Sequence, residues 1–271
     1  MIARMIFAAM LAAVLPFASP SAVLAKDESG FVQLRKEEPV EIAADRAYFL
    51  MRVPEAANSI FFLRVPSDEE LQSYEAAKRA EYDRKSRKMP YEEFVFDWED
   101  VTNLYEVRPK RQYVELQPEM RVQIVAAPPG DYVVYGLGYN GFLYQCNCMG
   151  SVGFSAKAGQ VTDLGTFLIS NAWDPSPFPE LNAESDLGRV ARMDFGMFAF
   201  GIKAAEPQDF IPPQLSGSSL TPAAYKAIGP WVDRRRVFAN RLATMPGVLE
   251  YREGIPFDPV TAQELRLSLD D

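Results

Sequence analysis

The sequence predicts a mainly β protein: an antiparallel β-sandwich with a helical insertion near residues 67–88 and a loop-rich C-terminal extension. Two observations indicate this fold class. Between residues 112 and 170, apolar runs recur about every 8 to 12 residues and are separated by turn signals such as Pro129-Gly130. By contrast, residues 67–88 form a polar, helix-forming stretch that opens with a helix start signal.

The first 25 residues have the features of a secretory signal peptide rather than of a folded element. Arg4 provides a positive start, Met5 to Leu15 form an apolar run, and Val23-Leu24-Ala25 suits a signal peptidase. The run is shorter than the roughly 20 residues that span a bilayer, and no later segment is long and apolar enough. We therefore expect a mature chain that begins near Lys26, is periplasmic or secreted, and has no transmembrane segment.

Residues 26–170 are the predicted sandwich domain, with strands on both sides of the helix. The predicted strands cover residues 40–42, 47–53, 59–65, 112–116, 120–127, 132–139, 142–148, 150–157 and 161–170. The helix is predicted from Asp68 to about Arg87, because Ser67 and Glu70 match a capping box. Its apolar face is thin, so we expect an exposed insertion that lies across the sheet.

Residues 171–271 form the predicted C-terminal extension, which is expected to pack back on the sandwich. In chain order we predict a loop at 171–186, a strand or strand pair at 190–203, a linker at 204–219, a helix at 231–243 and a strand at 248–251. Thr221-Pro222 also matches a helix start, with Pro at the first helical position.

Composition excludes several classes of function. The chain has no histidine, which removes Ser-His-Asp and Cys-His catalysis and any His-based zinc or haem site. Its formal net charge of −9 argues against nucleic acid as a partner. The sequence also lacks GxSxG, SxxK, P-loop and HExxH motifs. We therefore predict no cofactor and favour a non-enzymatic role.

Gly136-Leu-Gly138-Tyr-Asn-Gly141 matches the spacing of a dinucleotide-binding motif and follows a predicted strand. In that motif the glycines must open a helix whose N-terminus holds a pyrophosphate. Residues 142–148 alternate instead and have no helical period, whereas Asn140-Gly141 is typical of a type I′ hairpin turn. We therefore predict a hairpin at this motif.

Cys146, Cys148 and Met149 are the most distinctive chemical feature of the sequence. The two thiols lie on one face if the segment is a strand, and in an oxidising compartment they are expected to pair. Three interpretations stay open. The cysteines form a structural disulfide or a buried thiol pair, they form a redox-active pair, or they bind Cu(I) with Met149 as a third ligand.

An aromatic and acidic cluster lies within residues 91–105. Phe94, Phe96 and Trp98 alternate along a predicted strand, so they share one face. Such a face packs in a core or forms a platform for a sugar ring, and the neighbouring carboxylates are the groups that glycoside hydrolysis requires. Phe94, Phe96 and Trp98 are therefore a candidate ligand platform.

Three motifs together resemble uncharacterised bacterial envelope proteins: Pro129-Gly130-Asp131-Tyr132, Cys146-x-Cys148-Met149-Gly150, and Gly159-x-Val161-Thr162-Asp163-Leu164-Gly165-Thr166. The order Pro-Gly-x-Tyr followed by Ala-Gly-x-Val is similar to transthyretin-like and carboxypeptidase-regulatory-like β-sandwich modules. The resemblance covers about 50 residues. It implies a β-sandwich fold and an envelope location, and it carries no catalytic residues.

The leading expectation is an exported, non-enzymatic binding or structural module of the envelope, whose partner is an envelope protein or a glycan. One alternative is a thiol-redox or Cu(I)-handling protein that uses Cys146 and Cys148. A further alternative is a glycan-binding or glycan-hydrolysing protein that uses carboxylates alone.

Overall fold

The structure is a computed structural model that describes residues 30–36, 40–54, 59–85, 89–94, 104–111, 114–117, 120–139, 143–171, 198–230 and 238–266. Within these ranges the chain forms seventeen strands and one α-helix, α1 (Asp68–Lys85). The strands are β1 (Val32–Gln33), β2 (Ala47–Pro54), β3 (Ser59–Arg64), β4 (Leu104–Val107), β5 (Val114–Gln117), β6 (Met120–Ala127), β7 (Gly130–Tyr139), β8 (Leu143–Cys146), β9 (Ser151–Ala156), β10 (Gln160–Asn171), β11 (Phe198–Lys203), β12 (Leu220–Pro222), β13 (Lys226–Ile228), β14 (Phe238–Ala239), β15 (Glu250–Arg252), β16 (Ile255–Asp258) and β17 (Gln263–Glu264). The predicted mainly β class with a helical insertion is confirmed.

Two seven-stranded sheets form the sandwich. Sheet A follows the order β1-β6-β2-β10-β11, with β5 paired to β6 and β12 paired to β10. Sheet B follows the order β13-β9-β7-β3-β4, with β8 paired to β7 and β14 paired to β8. Strands β15, β16 and β17 form a small third sheet. Strands β11 to β14, from the predicted extension, therefore belong to the two main sheets.

The sheets are mixed rather than purely antiparallel, which corrects one detail of the predicted fold. Strand β10 runs parallel to both β2 and β12, and β14 runs parallel to β8. Parallel neighbours require a crossover connection between them. After β2 the chain forms β3 and β4 of sheet B, then β5 and β6 of sheet A, and then β7 to β9 of sheet B. It returns to sheet A at β10, which runs in the same direction as β2. This return brings the starts of β2, β10 and β12 to one edge.

One core fills the space between sheets A and B. Alternating side chains of both sheets point inward, and rings dominate the contacts. Phe49 of sheet A meets Tyr132 of sheet B edge to face, with ring centroids 5.0 Å apart. Phe62 of sheet B meets Phe167 of sheet A in the same way at 6.3 Å. Full burial of one such side chain stabilises the fold by about 1.5–3 kcal/mol.

The turn between β6 and β7 explains the Pro-Gly-Asp-Tyr motif. The hydroxyl of Tyr132 donates a hydrogen bond of 2.6 Å to the carbonyl of Pro128, four residues upstream. This is the arrangement of the tyrosine corner found in sandwich folds. Burial, the main cause, raises the pKa of Tyr132 well above its ordinary value. The motif therefore has a packing role at the corner of the sandwich.

Helix α1 begins as predicted. The Glu70 amide donates to the Ser67 hydroxyl at 3.3 Å, and the Ser67 amide donates to a Glu70 carboxylate oxygen at 2.7 Å. Arg64 also pairs with Glu70, and this hydrogen bond lowers the pKa of Glu70. The described side chains of α1 are exposed or half-buried, as expected for an exposed insertion. No described helix has both the length and the apolar character needed to cross a membrane.

Several local predictions are wrong. Residues 40–42 form no strand, and Tyr91–Glu93 is a 3-10 turn rather than part of a strand. Thr221-Pro222 starts no helix, because Leu220–Pro222 pairs with β10 as β12. In the predicted helix at 231–243, residues 238 and 239 form β14 and residues 240–243 are not helical, whereas 231–237 lie outside the described residues.

Candidate functional site

The outer face of sheet A is covered by two chain segments. Without these segments an apolar surface would face the solvent. The side chains that point outward there are Tyr48, Leu50, Val122, Ile124, Ala126 and Val161. Residues 34–36 and 40–42 cover one part of this face through Leu34, Val40 and Ile42. Residues 204–219, which we call the strap, cover another part through Phe210 and Leu215.

A buried ion pair holds the strap against sheet A. Arg52 of β2 and Asp163 of β10 are 4% and 6% exposed, and they make two parallel hydrogen bonds of 2.7 and 3.0 Å. The same guanidinium donates twice to the Phe210 carbonyl, from Nε at 3.1 Å and from its second amino group at 2.9 Å. Asp209 adds a carboxylate oxygen 3.6 Å away. Arg52 therefore ties the strap to two neighbouring strands.

A groove lies beside the strap, at the edge where the parallel strands of sheet A begin. Its volume is about 510 Å³, and we call it the edge groove. Its described lining comes from residue 42, from the β9–β10 turn and the start of β10, from the end of the strap and from β12: Ile42, Gly159, Gln160, Val161, Gly217, Ser218, Ser219 and Thr221. This volume is within the range of about 300–1,000 Å³ that is typical of small-molecule sites.

The lining of the edge groove is neutral, and its polar side chains make no hydrogen bond to other described residues. None of the described residues that line the groove carries an ionisable side chain. The hydroxyls of Ser218, Ser219 and Thr221 and the amide of Gln160 make no hydrogen bond to another described residue. The groove therefore combines free hydrogen-bonding groups with the apolar side chains of Ile42 and Val161.

Backbone hydrogen bonds fix both walls of the groove. On one side the Ser218 amide donates to the Leu215 carbonyl at 2.9 Å, and Leu215 itself is buried. On the other side the Gly159 amide donates to the Arg46 carbonyl at 2.7 Å. Gly217 and Gly159 have φ values of +90° and +70°, which favour glycine. The groove is therefore preformed rather than dependent on a loop that must close.

Cys146 and Cys148 are joined, with their sulphur atoms 2.08 Å apart. Both are buried, in a cluster on the outer face of sheet B with Leu63, Val133 and Tyr135. Exchange would require a thiolate to reach one of these sulphurs, and burial obstructs that approach. A disulfide also supplies no thiolate to Cu(I) beside the half-buried Met149. The described residues contain no group of three or more Cys, Asp or Glu placed to hold a metal.

The disulfide loop instead holds a C-terminal segment. The Asn240 amide donates to the Cys146 carbonyl at 2.7 Å, and the Met149 amide donates to the Asn240 carbonyl at 3.1 Å. Strand β14, which ends at Ala239, pairs with β8 directly beside this loop. The loop that contains Cys146, Cys148 and Met149 therefore contacts the C-terminal chain, and the expected pairing of the two cysteines is confirmed.

The structure describes only part of the predicted aromatic platform. Phe94 contacts Tyr82 of α1, with ring centroids 5.5 Å apart, so it packs beside the helix. Phe96 and Trp98 lie outside the described residues. Gly136 and Gly138 are within β7, which pairs with β8, so the predicted hairpin is confirmed, although Asn140 and Gly141 lie outside the described residues.

Sequence reasoning missed the edge groove. Gly217, Ser218 and Ser219 were assigned to a linker, and Thr221 to a helix start. The only local signal was a run of small polar residues, which is also typical of ordinary loops. No protein-family model, no curated protein and no solved structure matches this chain. The function is therefore argued from the site itself.

Proposed function

We propose that the protein is an exported, non-enzymatic binding module of the cell envelope, and that the edge groove is its ligand site. One observation carries the proposal. The residues that line the groove carry three hydroxyls and one side-chain amide that have no partner among the described residues, together with the half-buried Ile42, and both walls are fixed by backbone hydrogen bonds. Polar groups at a surface groove that are held in place but not used internally are available to a ligand.

The chemistry around the disulfide supports binding rather than redox exchange. Cys146 and Cys148 are buried and their loop makes backbone hydrogen bonds to Asn240. Redox-active disulfides are normally accessible to the attacking thiolate. A disulfide pair also fits an oxidising compartment, which agrees with the leader-like features of residues 1–25.

A steric block of the groove tests the proposal. Thr221 is exposed on β12 and lines the groove, so Thr221→Trp would fill it without disturbing the core. Ser216→Trp is the matched control, because Ser216 is exposed nearby but does not line the groove. The mature protein would be screened by NMR against saccharides, peptides, lipids and nucleotides.

We expect a binding ligand to shift the amide signals of Gly159 and residues 217–219. Thr221→Trp should abolish these shifts, and Ser216→Trp should retain them. The proposal is overturned if every ligand that binds shifts other residues, if no class binds at all, or if the purified protein turns over a glycan, peptide or ester.

A further inference from the structure

We infer that the edge groove binds a neutral saccharide chain. This inference rests on the proposed function, since it names the class of ligand for the same groove. It differs from the expectation that placed glycan binding at Phe94, Phe96 and Trp98, because its residues come from residue 42, the β9–β10 turn, the start of β10, the strap and β12.

The lack of positive charge in the groove and the negative charge of the chain disfavour anionic ligands. The described lining of the groove contains no Lys or Arg, and the chain as a whole has a formal net charge of −9. Phosphates and carboxylates are normally held by Arg or Lys, which supply charge-assisted hydrogen bonds. An acidic polysaccharide, a nucleotide or a phospholipid headgroup would find no such partner here and would be repelled by the net charge.

The hydrogen-bonding groups match those of a sugar. Each sugar hydroxyl both donates and accepts, and so do the Ser218, Ser219 and Thr221 hydroxyls and the Gln160 amide. The backbone at Gly159 and Gly217 lets a ligand approach closely, since no side chain projects there. The half-buried side chain of Ile42 offers an apolar surface for the C–H face of a ring. A neutral saccharide uses all three features together.

The edge of β12 that faces away from β10 pairs with no other described strand, but it is unsuited to the alternative ligand, an extended peptide. The Ala223 amide donates to the Asp163 carbonyl of β10 at 2.8 Å. Because successive amides of a strand alternate in direction, the amide positions of residues 220 and 222 face away from β10. Residue 222 is proline and has no N–H to donate. A peptide added at this edge would lose a ladder hydrogen bond that peptide recognition by strand addition requires.

The test measures binding of three probe classes to the mature protein by NMR titration and affinity electrophoresis. The probes are neutral hexasaccharides of glucose and of N-acetylglucosamine, an oligogalacturonate as the charged saccharide, and an uncharged extended peptide. The variants are Thr221→Trp, the double variant Ser218→Ala with Ser219→Ala, and the control Ser216→Trp. The double Ala variant removes hydroxyls without adding bulk, so it remains informative if the tryptophan variant does not fold.

We expect a neutral hexasaccharide to shift Gly159 and residues 217–219. We also expect at least tenfold weaker binding in both groove variants, unchanged binding in Ser216→Trp, and no binding of oligogalacturonate. Peptide or oligogalacturonate binding at the groove, without neutral saccharide binding, would overturn the saccharide class and leave the proposed function standing. Absence of any ligand at the groove would overturn both.

Discussion

Different interactions, which we call devices, hold a C-terminal segment against the outer face of each sheet. On sheet A the strap is fastened by a buried ion pair, in which Arg52 reaches Asp163 and the Phe210 carbonyl. On sheet B a segment near Asn240 is fastened to the loop of the Cys146–Cys148 disulfide by two backbone hydrogen bonds. Both devices hold C-terminal chain against a face that would otherwise be exposed.

The two devices join residues at very different separations along the sequence. Arg52 and Phe210 are 158 residues apart, so the ion pair joins remote segments, whereas the disulfide joins residues only two apart. A covalent bond across so short a loop removes little entropy from the unfolded chain. A buried charge that loses its partner, in contrast, leaves the other charge desolvated. The ion pair should therefore matter more to stability than the covalent bond.

The largest effect is expected from Arg52→Ala. This change leaves the Asp163 carboxylate buried without its partner and should lower the free energy of unfolding by about 3–5 kcal/mol. Urea unfolding followed by circular dichroism measures the loss. Because the strap carries Gly217, Ser218 and Ser219, the same variant should also weaken ligand binding at the edge groove.

A double variant separates the charge effect from the loss of packing. Arg52→Met combined with Asp163→Leu removes both charges and keeps apolar volume, so part of the lost stability should return. A loss below about 1 kcal/mol in Arg52→Ala would contradict the importance given to the ion pair. So would a double variant that is less stable than the single one.

Some structural elements could be predicted from neighbouring residues in the sequence. Others depend on pairing between distant segments and could not. Ser67 and Glu70 lie three residues apart, and their capping box could be identified because it depends only on near neighbours. Pro222 shows the opposite case. Its fixed φ and missing N–H suit both a helix start and the outward-facing position of an edge strand. Pairing with Asp163, 59 residues earlier, decides between them, and no local pattern encodes that pairing.

The edge groove was unpredictable for the same reason. Its lining comes from residue 42, residues 159–161, residues 217–219 and residue 221, which only the parallel pairing of β10 with β2 and β12 brings together. The disulfide pairing was predictable because both cysteines are adjacent on one short segment. Its burial was not, since β14 and the cluster around Tyr135 come from distant parts of the chain.

A smaller effect is expected from removing the disulfide. Replacing Cys146 and Cys148 together with Ala should lower the free energy of unfolding by about 2 kcal/mol, because the closed loop is short and only two buried sulphurs are lost. Hydrogen exchange should accelerate at residues 239–243, next to the loop, and remain slow in the strap. A loss as large as that of Arg52→Ala, or faster exchange in the strap, would contradict the proposed difference between the two devices.

The smallest effect concerns one half-buried tyrosine beside each device. Near the ion pair, the Tyr225 hydroxyl donates to the Leu164 carbonyl at 2.7 Å. Near the disulfide loop, the Tyr251 hydroxyl donates to the Leu242 carbonyl at 2.8 Å. Burial raises the pKa of both, and the Asp163 carboxylate raises the pKa of Tyr225 further, whereas Arg241 counteracts the rise at Tyr251.

These raised pKa values predict a loss of stability in alkali. The unfolded chain releases the tyrosine protons near their ordinary pKa of about 10, while the folded chain retains them, so the free energy of unfolding falls as pH rises above that value.

At neutral pH, Tyr225→Phe and Tyr251→Phe should each lower the free energy of unfolding by about 1 kcal/mol, because one hydrogen bond is lost. Urea unfolding at pH values of about 8 and about 10.5 should show a shallower alkaline loss in both variants. The change should be about equal in the two variants, because both folded tyrosines keep their protons over this range and the loss is set by the pKa of the unfolded chain. Equal alkaline losses in both variants and the native protein would contradict the assigned burial of these hydroxyls.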